Sequence, residues 1–398
     1  MNDRVLGLSK EELLQLGAKH TAQEIDGQPD LWKKTWGLIA EQSDKIGTFL
    51  NLLYKKENLQ ILLTGAGTSA YIGEVLEGPF QKNTNQTTRA IPTTNLVTHP
   101  ELYLFRNKPT LLISFARSGN SPESCKAVSL AKNYCNEIYN LIITCNPNGE
   151  LAKDSNGKND LVFVLPPEAD DKSLAMTGSF SAMLLTGLLI SRINELSFLE
   201  EQKNKLFRYG NYFLETYIEE IKKIASLDFD RAIFLGSGLF SGIARESHLK
   251  LQELTDGRVI CKHDSFLGFR HGPKAVIDDK TLITYLFSNN KYSLQYEVDL
   301  VDSVYSGRSN CHTVGVMEQD IKDVKLDTKI ILSEKDESID EDFLTVASVL
   351  FAQTLGFYKS IEFGLKPDSP SVSGMIHRVV QGVKLYDYNG KVEVKNKL

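Results

Sequence analysis

The chain predicts an α/β fold of two tandem domains, each a parallel sheet flanked by helices, and three observations predict it. Short apolar runs alternate with helical stretches. The first of those runs end in turns rich in glycine, serine and threonine. The pattern then restarts, with Gly65 and Gly67 recurring as Gly236 and Gly238 at an offset of 171 residues. Alternating strands and helices imply crossover connections and parallel pairing. Self-similarity at a fixed spacing implies a duplicated unit.

Residues 1–57 are expected to be a helical, polar-rich segment. Ser9 followed by Glu12 before Leu13-Leu14 has the form of a capping box. Trp32, Trp36 and Ile39 recur at helical spacing and form a packing stripe. The first domain is placed at 58–215. Its strand candidates are 59–64, 110–114, 138–144 and 161–165, and helices are expected over 70–76, 179–193 and 199–224. The second domain is placed at 216–363, with strands at 232–235, 282–287, 312–316 and 329–332. Helices there should run over 240–254 and 341–363. The tail, 364–398, holds Pro367, Pro370 and several glycines and is expected to be an ordered loop that closes the site.

Bulk properties narrow the function. A length of 398 residues suits two domains, and the 41% hydrophobic and 24% charged fractions are those of a globular protein. No apolar run is long enough to span a bilayer, and Met1-Asn2-Asp3-Arg4 lacks a secretory pattern. Five scattered cysteines without a C-x-x-C pair argue for reduced thiols, a cytoplasmic location and no cysteine-type zinc site. The net charge of −6 speaks against a nucleic-acid surface. An anionic ligand would need local donors to hold it against that field.

Four segments carry chemistry. In Thr64-Gly65-Ala66-Gly67-Thr68-Ser69 the glycines let the backbone turn tightly at a strand end, and the following helix start offers free amides and a positive dipole end. A strict dinucleotide fingerprint fails at Ala70, although the variant permitting alanine fits. Alone, this loop reads equally as a structural turn. Arg117-Ser118-Gly119-Asn120-Ser121 forms a second cup of hydroxyls and amides at another strand end. Two cups on neighbouring strand ends converge on one crevice, which favours a phosphate ligand. Arg117 itself is expected to be solvated or salt-bridged more readily than to hold phosphate.

On the 240–254 helix, Lys250 and Glu253 share a face, a spacing that on most helices is an ordinary surface pair. His271 precedes Gly272-Pro273 and is therefore held in a turn. A carboxylate and an imidazole brought to one pocket make an acid/base set for a 1,2-proton shift. The second half lacks the serine cup, since its counterpart is Phe287-Ser288-Asn289-Asn290. The first domain is thus expected to bind phosphate and the second to supply Glu253 and His271.

At these residues the sequence resembles the sugar isomerase (SIS) domain family, here with two domains in tandem. The two loops, the Lys250/Glu253 helix and Arg270-His271-Gly272-Pro273 resemble the isomerase half of glucosamine-6-phosphate synthase. The AgaS group of galactosamine-6-phosphate deaminase/isomerases, long labelled tagatose-6-phosphate ketose/aldose isomerases, is more similar still over nearly the whole chain. The resemblance rests on Leu63 to Ala70, Ile113 to Ser124, Gly268 to Lys274 and Arg378 to Val383.

It implies flavodoxin-like three-layer domains and a phosphosugar held by Gly67, Thr68, Ser69, Arg117, Ser118, Gly119 and Ser121. Met176 and Thr177 would line the sugar, with His377 beside it. Glu253 would shuttle a proton between C1 and C2, with Lys250 nearby, and His271 would open the ring, in the synthase from the neighbouring subunit. It also implies a homodimer or larger homo-oligomer, with no metal and no cofactor. The implied activity is deamination of galactosamine 6-phosphate to tagatose 6-phosphate. Plain isomerisation of a hexose 6-phosphate, glucosamine-6-phosphate deamination and a phosphosugar-sensing regulator stand as alternatives. The synthase's tail lysine is absent from 370–378, and His377 stands where the AgaS group is expected to have asparagine. The chain opens Met1-Asn2 without the synthase's glutaminase cysteine, which fits ammonia release.

Overall fold

Two five-stranded parallel sheets carry the molecule, and both have the same strand order. The computed structural model describes residues 4–155, 157–307, 310–335, 337–380 and 382–388. Gln381 of the tail motif, residues 389–398 of the expected tail and Met1-Asn2-Asp3 lie outside the described residues.

The chain begins with a small hairpin, β1 (Arg4–Val5) and β2 (Leu8–Ser9), at the start of the segment expected to be helical and polar-rich. Leu6 and Gly7 both have positive φ, 46° and 73°, as the tightest two-residue hairpin turns require. The expected capping box then starts the Lys10–Gln15 helix, with Ser9 and Glu12 bonding reciprocally. Trp32, Trp36 and Ile39 are buried, and the Trp32 indole donates to Ser181 Oγ at 2.8 Å.

In the first domain β3 (Gln60–Thr64), β4 (Thr87–Ala90), β5 (Thr110–Ala116), β6 (Ile138–Thr144) and β7 (Asp160–Val164) pair in the order β4-β3-β5-β6-β7. In the second, β8 (Arg231–Gly236), β9 (Ile260–Asp264), β10 (Thr281–Leu286), β11 (His312–Met317) and β12 (Thr328–Ile331) pair in the order β9-β8-β10-β11-β12. Each is the flavodoxin order, whose ligand crevice lies beyond the carboxyl ends of the first and third strands. Those are β3 and β5, paired with Leu62 opposite Leu112 and Thr64 opposite Ser114.

Within the two parallel sheets, the strands without an expectation are β4 and β9, the polar edge strands TTRA and ICKHD. Edge strands lack the two-sided apolar burial that makes β3 and β5 continuous hydrophobic runs. The stretch expected as one helix over 199–224 is two, Glu200–Thr216 and Ile218–Ser226, broken at Tyr217.

Three helices bind the halves together. Leu239–Leu254 packs against both Thr68–Thr84 and Glu341–Glu362. Glu341–Glu362 is buried continuously from Phe343 to Ser360. Close approach explains a glycine here: a Cβ on Gly242 would meet the Val75 backbone nitrogen at 2.8 Å. Among the described residues no helix is long and apolar enough to cross a membrane.

Candidate active site

A cleft of about 300 Å³ opens at the carboxyl ends of β3 and β5, where the strand order reverses. Its floor is the first glycine loop. A Cβ on Gly65 would lie 2.5 Å from the Ser69 carbonyl group, so only glycine lets the helix start press onto the strand end. Gly67 sits at φ 56°, ψ −130°, and no side chain caps the Thr68–Thr84 helix that follows. Thr68 and Ser69 line the cleft.

The second loop stands opposite. Ser118 and Ser121 line the cleft, and Ser121 begins the Pro122–Tyr134 helix without capping it. Two helix N-termini and four hydroxyls therefore converge, an arrangement suited to a phosphate dianion. Ser124, in the first turn of the second helix, also faces the cleft. Its signal in the sequence was its place three residues after Ser121.

Three of the residues expected at the ligand make other contacts within the chain. Gly119 is not part of the lining: at φ 66° it packs on Gly149 and shapes the loop. Thr177 is fully buried and bonds Asp171 through its amide (2.8 Å) and hydroxyl (3.3 Å). Asp171 also accepts from the Gly178 and Ser179 amides at 3.1 and 3.0 Å, so it caps the Gly178–Ser191 helix. Arg117 borders the cleft yet is neither solvated nor salt-bridged as expected. It is 7% exposed and donates to the carbonyls of Ser173 (3.4 Å), Leu174 (3.3 Å) and Arg378 (2.6 Å). A guanidinium spent on three carbonyls ties wall and tail together.

The wall beside Arg117 contributes Leu174 and Met176, and the Ser69 hydroxyl lies 3.9 Å from Met176 Sδ. The roof is the tail, with Met375, His377 and Val380 facing the cleft. Arg378 holds it down, donating from Nε to Asp171 O at 2.8 Å and from Nη2 to Asp170 Oδ1 at 2.6 Å. Arg378 was legible only as part of a motif, because both its partners lie some 200 residues away.

Glu253 enters from the last turn of the Leu239–Leu254 helix and lines the cleft. The ordinary-surface-pair expectation fails for Lys250, which is fully buried with its Nζ 2.8 Å from Glu253 Oε2. A third member escaped the sequence: Glu246, 1% exposed, lies 3.4 Å from the same Nζ. Burial works against the charge on Lys250, but Glu246 and Glu253 outweigh it and hold its pKa above the usual lysine value. Burial, reinforced by Glu253 and opposed by Lys250, pushes the Glu246 carboxyl up to about 8. The triad therefore sets one buried ammonium between two carboxyl groups, with Glu253 the nearer.

His271 is not brought to this cleft within the chain. It lies exposed in the turn between the Phe266–Phe269 helix and the Gly272–Val276 3₁₀ turn. Among the described residues no cluster of three or more His, Cys, Asp or Glu could hold a metal ion.

The second half shows why it lacks a phosphate cup. Gly238 repeats Gly67 at φ 56°, ψ −123°, and a Cβ on Gly236 would strike Phe240 O at 2.2 Å. The third-strand cup, however, is filled from within. Glu297 accepts from the Ser288 amide at 2.9 Å, and the Ser288 hydroxyl donates to Glu341.

Residues 52–191 match the family model of the SIS domain. A D-galactosamine-6-phosphate deaminase AgaS from Shewanella sp. (strain ANA-3) is 39% identical over 393 residues, covering 97% of this chain and 96% of that protein. The D-galactosamine-6-phosphate deaminase AgaS of Escherichia coli is 36% identical over 375 residues, covering 92% and 96%. Among solved structures, a tagatose-6-phosphate ketose/aldose isomerase from Escherichia coli superposes with a TM-score of 0.84 at 34% identity, covering 93% and 97%. Identity of this order along nearly the whole length, on the same two-sheet fold, means that the chain belongs to the AgaS family of SIS-domain proteins.

Proposed function

We propose that the chain is a deaminating isomerase that converts D-galactosamine 6-phosphate to D-tagatose 6-phosphate and ammonia. The observation that carries this reading is one cleft holding both a hydroxyl-and-amide phosphate cradle and Glu253 on its buried lysine. Thr68, Ser69, Ser118 and Ser121 bind the 6-phosphate with Gly67 shaping the floor, and that anchor aligns C1 and C2 with Glu253. His271 opens the ring to the aldehyde. Glu253 removes the C2 proton, acidified by the adjacent C1 carbonyl, and the electron pair moves onto the C1 oxygen. Return of the proton to C1 turns C2 into an imine. Water adds at C2, and the C–N bond breaks to release ammonia and leave a ketone. Each positioned acid or base contributes roughly 10²–10⁴-fold.

His271 serves the site of a second copy, since its own cleft lacks it. The working form is thus at least a dimer, and the assignment as a cytoplasmic enzyme belongs to the same proposal. His377 lies against the sugar in place of a tail lysine.

A panel of hexosamine and hexose 6-phosphates, scored for both ketose and ammonia, tests the substrate. Ketose without ammonia would make the enzyme a plain isomerase. Glu253→Gln should abolish solvent deuterium exchange at C2, and undiminished exchange would remove Glu253 from the chemistry. Mixing inactive Glu253→Gln and His271→Ala chains should restore about a quarter of wild-type activity, because half of the dimers then hold one intact site of two. No recovery would mean that His271 acts within its own chain.

A further inference from the structure

Glu24 lies behind the cleft wall, outside the set of groups that line the cleft. Its Oε1 accepts from the backbone amides of Lys172 (2.6 Å) and Ser173 (3.2 Å), and its Oε2 bonds the Ser173 hydroxyl. That hydroxyl also lies 3.1 Å from the carbonyl of Ala175. Ser173 has one hydroxyl proton and cannot donate it to both acceptors. The segment it controls carries Leu174 and Met176, two groups of the cleft wall, and Arg117 holds the same segment from the other side.

We propose that Glu24 is a positioning residue for the substrate, setting the cleft wall from Leu174 to Met176 through a proton-dependent choice of partner for the Ser173 hydroxyl. With Glu24 ionised, Ser173 donates to the carboxylate and the Ala175 carbonyl is released. With one solvent proton on Oε2, the carboxyl O–H donates to Ser173 Oγ, and Ser173 donates to Ala175 O. The wall is then tied at both ends. Burial, with the Asp171 charge beside it, raises the Glu24 carboxyl to about 7, so both states are populated near neutrality. The charged groups around it are Asp170, Asp171 and Lys172 on the wall segment, Asp30 and Lys34 on the Gln28–Glu41 helix, Glu168, and His20 on its own helix. Arg117 and Arg378 lie beyond Asp171.

This inference rests on galactosamine 6-phosphate as the substrate only for its affinity arm. Glu24→Gln fixes the neutral pattern, because its amide donates to Ser173 while its oxygen accepts the two backbone amides. Two readouts are taken on the full chain across neutral pH: calorimetric affinity and KM for galactosamine 6-phosphate, and hydrogen exchange of amides 173–178. The wild type should lose roughly threefold to tenfold in affinity relative to Glu24→Gln as pH rises through 7, the value of one hydrogen bond, with kcat in constant ratio. Substrate titration is common to both proteins and cancels. Exchange of 173–178 should accelerate with pH in the wild type relative to the variant. Superimposable profiles in both readouts would overturn the proposal. Should Glu24→Gln fail to fold, Ser173→Ala removes the relay with the carboxyl in place and should flatten the same profiles. A wild type that fails to bind galactosamine 6-phosphate refutes the substrate, while hydrogen exchange still decides Glu24.

Discussion

Lys250 is the residue whose role changes most between sequence and structure. At i, i+3 from Glu253 it has the spacing of a solvated pair, yet its ammonium is buried between the carboxyl groups of Glu246 and Glu253. Removing one partner of a buried ion cluster leaves the others uncompensated. Lys250→Met should therefore cost about 3–5 kcal/mol in urea unfolding and abolish turnover. A change below about 1 kcal/mol would show that the triad relaxes without its cation. Trp32 is the apolar counterpart, fully buried with its indole bonded to Ser181, and Trp32→Ala should cost about 3–5 kcal/mol.

The two glycine turns are one element used twice with different outcomes. Each is closed to any Cβ, at Gly65 by Ser69 and at Gly236 by Phe240. Alanine at either should destabilise the fold by about 1–3 kcal/mol, since the contact is with backbone that cannot step aside. Only Gly65→Ala should also weaken phosphate binding, because only the first turn adjoins the cleft. Equal loss of phosphate affinity in Gly236→Ala would contradict the division of labour between the halves. The element-level repeat was legible from glycine spacing alone, since tight strand-to-helix turns leave a local mark. The filled cup in the second half was not, because Glu297 and Glu341 reach Ser288 from 9 and 53 residues away.

Across the whole molecule, buried ionisable groups set opposing pH limits. Burial raises Glu24 to about 7, Glu297 to about 7 and Glu246 to about 8. These carboxyls hold protons in the folded state that the unfolded chain has released above its ordinary range near 4.5. Stability should therefore fall as pH rises from about 4.5 through 8. Burial and His263 lower His248 to about 4, so the folded state resists a proton that the unfolded chain takes up below 6.5. Its contribution is present above 6.5 and lost as pH falls through 4. Denaturant midpoints measured against pH should thus decline on both sides. Glu246→Gln should flatten the alkaline decline, and an unchanged slope would exclude Glu246 as its source.

The sequence by itself determined the α/β class, the duplication, eight of the ten strands in the two parallel sheets and the loops that build the cleft. These depend on local rules: apolar runs for buried strands, glycine for turns without room for a Cβ, serine and threonine at helix starts. The edge strands β4 and β9 escaped because edges need little apolar surface. Only the tertiary structure decided what each site residue touches. It turned Arg117 and Thr177 inward as ties, joined Glu246 to the Lys250 triad, laid the tail over the cleft and left His271 outside it. Charge burial and hydrogen-bond partnership depend on groups distant along the chain, and no local pattern encodes them.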